Sequence, residues 1–228
     1  MLRRTKVALV TGAFTVDPTG KYNSLVAYSV GKRAATYQKK QLFPFGERVP
    51  GAGWLAPLRR YDSVQPGHGP DTVPIIETAG ASIAPSVCWE ILFPALVRKS
   101  VERGAQVLIN VSSDRPFGSF AEPFQHLYMA MGRALEFRRP LIRVAMTGVS
   151  TVVAADGSVL VSSPYGEPWA QTVEVGFRGH PALTIFHSWG DVLVFVWLGT
   201  AAVICAADAL RRQSPLRLRT FRRLRTAP

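Results

Sequence analysis

The sequence predicts an α/β layered domain followed by one membrane-spanning helix, and three observations carry that prediction. Short apolar, β-rich runs alternate with helical stretches through the middle of the chain, from Thr72 to Ala145. Two further apolar runs flank Asp156-Gly157, a dipeptide suited to a tight hairpin turn. Near the end, Val192 to Leu210 reads as about 19 apolar residues with one late charge, Asp208.

Taken in order, Lys6–Ala13 predicts the first strand, closed by a turn at Asp17-Pro18. The same region imitates a short signal peptide, with a basic start and an apolar stretch of about ten residues. No small-x-small cleavage site follows, so a strand is the preferred reading, and a segment upstream would then be needed for export. Ser24–Ser29 predicts a second strand. Residues 43–70 are rich in Pro and Gly and read as a long irregular excursion, a feature that is usually functional in compact domains. Thr72–Ile76 and Ser82–Cys88 follow as strands, then a helix over Pro94–Arg103 and a strand over Gln106–Val111. The Ala121–Arg138 stretch places Phe124, Leu127, Met131 and Leu135 on one helical stripe. Pro140 ends that helix, and Leu141–Ala145 is the next strand. Val149–Ala155 and Ser158–Val161 complete the series as a hairpin with an expected type I′ turn.

With 228 residues and 47% hydrophobic content, the chain can build a sizeable core. Its formal charge of +12 is concentrated beyond Asp208, where seven arginines occur with no acid among them. The rest of the chain carries about +5. At roughly 1.5 Å per residue the apolar segment spans roughly 28 Å, close to a hydrocarbon core. Trp189 and Trp197 lie towards one end, with Asp208, Arg211 and Arg212 at the other. A buried helix of a soluble domain is the competing reading, and the arginine tail favours the membrane. The positive-inside tendency puts the tail in the cytoplasm and residues 1–190 on the other side. Arginines attract any phosphate, but Phe221 is the sole aromatic among them, so no nucleic-acid partner is expected.

Only two cysteines occur, Cys88 and Cys205, which suggests no disulfide framework. His68, His126, His180 and His187 are scattered without a cysteine pair, so no metal site is expected. Cys88 stands where an apolar strand runs into a helix, a position that exposes a nucleophile near helix amides. A cysteine in such a strand is more often an inert core residue. Glu90 falls on the same face as Cys88 by strand alternation. Lys39 and Lys40 read as a solvated pair by default. Near a cysteine and carboxylates, a lysine could instead hold a thiolate and stabilise tetrahedral charge. Local spacing does not say that Lys39 meets Cys88.

Longer strings add to this. Tyr37-Gln38-Lys39-Lys40-Gln41-Leu42-Phe43-Pro44-Phe45-Gly46-Glu47-Arg48-Val49-Pro50 resembles the lysine motif of the apolipoprotein N-acyltransferases, a family of the nitrilase superfamily. Val87-Cys88-Trp89-Glu90-Ile91-Leu92-Phe93-Pro94 resembles their nucleophile motif. Gln125 to Arg143 resembles the helix and strand that follow, and Thr147-Gly148-Val149, Asp156-Gly157 and Trp189-Gly190-Asp191 continue the order. The resemblance runs from about residue 6 to residue 210.

It implies a partial nitrilase-type α-β-β-α sandwich followed by one C-terminal transmembrane helix. Residues 1–190 would be the catalytic domain, 191–211 the helix and 212–228 a basic cytoplasmic tail. Cys88 would be the nucleophile and Lys39 the triad lysine. Glu47 would be a carboxylate beside the lysine, and Trp89 and Glu90 would lie next to the nucleophile in contact with substrate. The implied reaction is ping-pong and uses no cofactor or metal. Cys88 takes an acyl chain from a phospholipid as a thioester and passes it to the amine of a diacylglyceryl-cysteine lipoprotein. The setting implied is the bacterial inner membrane, with catalysis on the periplasmic side.

Several positions depart from the family pattern. Its general base is a glutamate upstream of the lysine motif, whereas the first glutamate here is Glu47. The expectation is therefore a sequence lacking the first strand and helix of the sandwich. Either it is the C-terminal part of a longer or split acyltransferase, with an upstream polypeptide supplying the glutamate, or it is a remnant. Without that base, a loss of about 10²–10⁴-fold is the scale expected. Ser112-Ser113-Asp114-Arg115-Pro116-Phe117-Gly118 stands where the family tends to show Ser-Asn-Asp-x-Trp-Phe-Gly, Met146 replaces an asparagine, and Trp89 replaces a tyrosine. A membrane-tethered amidase of the same superfamily and a pseudoenzyme or assembly partner are the rival functions.

Overall fold

Turn residues at Asp17-Pro18-Thr19-Gly20 fold the first apolar run back onto the second. In the computed structural model, which describes residues 7–29, 32–50, 64–67, 76–78, 80–114, 121–179 and 182–213, these runs are β1 (Ala8–Asp17) and β2 (Gly20–Ser29). They pair antiparallel along their whole length. The backbone amide of Thr19 donates to Asp17 Oδ1 at 2.8 Å and closes the turn. The third strand, β3 (Lys32–Gln38), joins β2 antiparallel and completes a three-stranded sheet. Its sequence shows little apolar alternation, which is why it was not expected as a strand.

A second sheet has six strands in chain order: β4 (Ile76–Thr78), β5 (Ala81–Val87), β6 (Val107–Ser112), β7 (Leu141–Ala145), β8 (Thr151–Val153) and β9 (Val159–Ser162). β5, β6 and β7 run parallel, joined by α1 (Pro94–Glu102) and α2 (Ala121–Phe137), and the outer pairs are antiparallel. Of the expected Thr72–Ile76 strand, residues 72–75 lie outside the described residues, as do 51–63 and 68–70 of the excursion.

Two cores hold these layers together. Leu25, Ala27 and Tyr37 of the small sheet pack on Ile76, Ile83, Val87, Val107, Ile109 and Val111 of the large one. The other face of the large sheet offers Ala84, Leu108, Leu141 and Val153 to Val97 and Val101 of α1 and Ala130, Ala134 and Phe137 of α2. β5 and β6 are therefore covered on both faces, which explains their continuous apolar sequence. Full burial of each large side chain contributes about 1.5–3 kcal/mol. The result is a mixed α/β sandwich in the layer order sheet, sheet, helices, the layering that the resemblance implies for this part of the domain.

Two local expectations need correction. The core stripe of α2 is His126, Leu127, Ala130, Ala134 and Phe137, whereas Leu135 is half exposed. The alanines let the helix lie close to the sheet, so the larger side chains are turned to its flank. In the β8–β9 hairpin, Gly157 has φ 88° while Asp156 is not in the left-handed region, so the turn is not type I′. Ala154 N donates to Ser158 O at 2.8 Å, giving a three-residue loop with glycine at its left-handed position.

The chain divides into two compact units, Met1–His187 and Ser188–Pro228. The short helix α3 (Ile185–Trp189) leads to α4 (Val192–Gln213). Within α4, Val194–Arg212 is long and apolar enough to cross a membrane, and Phe195, Trp197, Val203 and Ile204 are exposed. An apolar helix with no buried face suits lipid better than water. The arginine-rich tail beyond Gln213 lies outside the described residues.

Candidate active site

β5 delivers the chain to Cys88 and stops there. Cys88–Leu92 is a 3₁₀ turn, and Cys88 itself has φ 55°, in the left-handed region. For a residue other than glycine this costs about 1–3 kcal/mol and persists only where the surroundings hold it. The expectation that Cys88 and Glu90 share a strand face is therefore corrected, because the turn replaces strand alternation at this point. Cys88 is half-buried, and neither Cys88 nor Cys205 is in a disulfide.

Glu90 is fully buried. Its Oε1 accepts from Tyr37 Oη at 2.8 Å, Lys40 N at 2.7 Å and Gln41 N at 3.0 Å, and its Oε2 from Val87 N at 2.9 Å. Burial pushes its carboxyl above the ordinary range, against four hydrogen bonds that favour the ionised form. The same burial, with the Glu90 charge, pushes the Tyr37 hydroxyl up. With its oxygens committed to protein donors, Glu90 has no surface to offer a substrate. It joins the end of β3 to the cysteine turn.

Lys39, the residue after β3, is 1% exposed, and its Nζ meets Glu47 Oε2 at 2.6 Å. The loop after Lys40 curls back to make this possible. Pro44 and Arg48 form a bridge, Glu47 N donates to Phe43 O at 2.9 Å, and Phe45 takes φ 61°. Glu47 also accepts from Phe43 N at 2.7 Å and Asn23 Nδ2 at 2.8 Å, so the carboxylate that holds the ammonium is itself fixed. Trp89 is half-buried and donates Nε1–H to Gln41 O at 2.6 Å. It meets Phe43 and Phe93 edge-on, with ring centroids 5.2 and 5.0 Å apart. Lys39 and Glu47 are thus in direct contact, and Trp89 and Glu90 bind the lysine segment to the cysteine turn.

Beside this site the ends of β6 and β7 and the inner face of α2 hold a buried polar cluster. Arg143 Nη2 lies 2.9 Å from Asp114 Oδ2, and His126 Nδ1 lies 3.3 Å from Asp114 Oδ1. Burial alone would raise the Asp114 carboxyl; hydrogen bonds from His126 and Ser112 and the Arg143 charge outweigh it and hold it below its ordinary value. A Cβ on Gly148 would strike Asp114 Oδ2, so only glycine allows this approach. Ligand atoms of Asp114, Glu122 and His126 lie within 4.8 Å of one another. Arg143 already places a cation against both Asp114 and His126, 2.9 Å from Asp114 Oδ2 and 3.2 Å from His126 Nδ1, which makes the group an arginine-compensated carboxylate.

Burial first, and then the Asp114 charge, push Glu122 up to about 7, with Arg143 opposing. Its folded value thus exceeds the ordinary 4.5 of a free glutamate. The associated stability is complete below that unfolded value and is lost as pH rises through about 7. Glu122→Gln is expected to reduce the fall in Tm between about pH 5 and about pH 8. An unchanged fall would mean that Glu122 titrates as an ordinary carboxylate.

Tyr37, Asn110, Asp114 and Arg143 were not identified as site residues from the sequence. The available signal was a polar residue inside an apolar strand, as with Asn110 and Arg143, and its purpose depends on neighbours far away in sequence.

The carbon-nitrogen hydrolase family matches residues 1–175. The apolipoprotein N-acyltransferase of Bdellovibrio bacteriovorus is 35% identical over 224 residues, covering 90% of this chain and 41% of that protein. That of Photobacterium profundum is 32% identical over 225 residues, covering 93% and 43%. The chain spans about two fifths of the length of these curated relatives. Among solved structures, a carbon-nitrogen hydrolase from Helicobacter pylori has a TM-score of 0.58 at 21% identity, covering 73% of this chain and 61% of the other. An amidase from Nesterenkonia sp. has a TM-score of 0.55 at 23% identity, covering 74% and 60%. At such identity these two likenesses bear on the fold, while the family match covers more than three quarters of the sequence. The chain belongs to the carbon-nitrogen hydrolase family.

Proposed function

We propose that this chain provides the nucleophile-bearing part of a membrane-anchored acyltransferase, moving an acyl chain from a phospholipid to the N-terminal amine of a diacylglyceryl-cysteine lipoprotein. One observation carries the reading: Glu90 ties the segment bearing the Lys39–Glu47 pair to a strained turn that presents Cys88. The named relatives, at 32–35% identity, support this choice of reaction. Residues 1–190 are the catalytic portion in this reading and 191–211 the anchor, with 212–228 in the cytoplasm and catalysis on the periplasmic face of the inner membrane.

The Cys88 thiolate attacks the acyl carbonyl carbon, and the tetrahedral oxyanion is held by the Lys39 ammonium and backbone amides. Collapse forms the thioester and releases the lysophospholipid, whose alkoxide takes the proton the thiol gave up. The lipoprotein amine then attacks the thioester, loses a proton and regenerates Cys88. A glutamate on an additional polypeptide segment, upstream of the lysine motif, serves as the general base that carries these protons. Glu47 positions Lys39, Glu90 positions the turn, and Trp89 borders the substrate.

The test is intact mass spectrometry of the full chain in detergent after incubation with phosphatidylethanolamine. The expected result is an acyl adduct removed by hydroxylamine and absent from Cys88→Ala. An adduct that appears only once the upstream segment is supplied would locate the base there. No adduct in either form would sink acyl transfer and leave a membrane-bound pseudoenzyme. Free fatty acid released in the presence of a lipoprotein amine would indicate hydrolysis of the amidase type instead.

A further inference from the structure

Three polar side chains stand side by side where three parallel strands end. Ser86 on β5, Asn110 on β6 and Arg143 on β7 are partners in register, and all three are buried. Two residues earlier the corresponding row is Ala84, Leu108 and Leu141, which belongs to the apolar core under α2. The change from apolar to polar therefore falls at the carboxyl ends of the strands, where an open α/β sheet places its ligands. A guanidinium buried there costs desolvation that an apolar residue would not. Its contacts show what it holds.

Arg143 can only donate, so the atom of the Asn110 carboxamide that faces its Nη1 is the oxygen. Asn110 Nδ2 must then point the other way, donating to Cys88 O at 3.0 Å and Ser86 Oγ at 3.1 Å. With the amide turned over, its oxygen would oppose the Cys88 carbonyl oxygen, and the bond would become a repulsion. Asp114 secures the far end, compensating the Arg143 charge while accepting from Ser112 Oγ at 2.8 Å. A continuous path runs Asp114, Arg143, Asn110, Cys88 carbonyl.

We propose that Arg143 is a positioning residue for Cys88, locking the Asn110 carboxamide in the one orientation that holds the left-handed turn presenting the thiol. This rests on the reading of Cys88 as the nucleophile. Arg143 acts at a distance, through Asn110, and does not touch the reacting atoms.

The experiment is peptide-resolved alkylation of the full chain by iodoacetamide across a pH range, with Cys205 as internal reference. Arg143→Met is expected to slow Cys88 alkylation about tenfold, the scale on which a left-handed turn is disfavoured once released, without changing Cys205. Asn110→Asp keeps an oxygen for Arg143 but offers the Cys88 carbonyl no donor, and should slow Cys88 equally. The double variant should be no slower than either single, because both act along one path. Arg139→Met is the control for general loosening. Arg139 is another buried arginine, bonded to the carbonyls of Ala105, Phe137 and Arg138, and its loss should leave the Cys88 rate within about twofold. A Cys88 rate that is unchanged or faster in Arg143→Met, equal slowing in Arg139→Met, or independent multiplication in the double variant would overturn the proposal. If Arg143→Met does not fold, Asn110→Asp decides alone, and an unchanged rate overturns it. Arginine-dependent alkylation without any acyl adduct would instead remove the acyltransferase reading and leave this inference in place.

Discussion

Lys39→Met is expected to lower the rate of thioester formation by about 10²–10³-fold while leaving the domain folded. The buried ammonium lies 2.6 Å from the Glu47 carboxylate. Methionine keeps the length of the side chain and removes the charge. Glu47 retains its bonds from Phe43 N and Asn23 Nδ2 and is partly exposed, so it is not left as an isolated buried anion. The loss should therefore fall on the reaction more than on stability. Single-turnover acylation followed by mass spectrometry reads the rate, and urea unfolding reads the fold. Glu47→Gln, which keeps the lysine charge and loosens its position, should cost less than Lys39→Met. Equal rates for Lys39→Met and the parent chain would exclude the lysine from the chemistry.

Glu90→Ala is expected to lower stability by about 3–5 kcal/mol. It removes a fully buried acceptor of four hydrogen bonds, from Tyr37 Oη and the amides of Lys40, Gln41 and Val87. A buried donor left without a partner costs about 1–3 kcal/mol, and some of the four will find water as the turn relaxes. Cys88 alkylation should become slower as well, since the same bonds hold the lysine segment against the turn. Glu90→Gln keeps one oxygen but brings an NH₂ group against backbone donors, so it should fall between Ala and the parent. A urea midpoint unchanged by Glu90→Ala would show that these bonds contribute little.

Much of the sandwich could be read along the chain because its strands are bounded by residues with strong local preferences. Asp17-Pro18 and Asp156-Gly157 mark turns, Pro140 separates helix from strand, and β6 and β7 lie within one residue of their expected limits. β3 was invisible because its residues carry little alternation and its strand character comes from pairing with β2. The stripe on α2 was misread because hydrophobicity ranks Leu135 above Ala134, whereas the close approach of helix to sheet favours the smaller residue.

By itself the sequence determined the layered α/β class and an apolar helix near the end, which depend on residue type and short-range spacing. The candidate nucleophile, the lysine and its carboxylate came from the resemblance of whole motifs to a family, since local spacing alone left each of them open. Only the tertiary structure decided that Cys88 sits in a left-handed turn, that Glu90 is a buried tie, and that Asn110 and Arg143 converge on the cysteine carbonyl. Each of those depends on hydrogen bonds between residues about 20 to 50 positions apart: the register of three parallel strands aligns Asn110 and Arg143, and the packing of the two sheets brings the segment after β3 to Glu90.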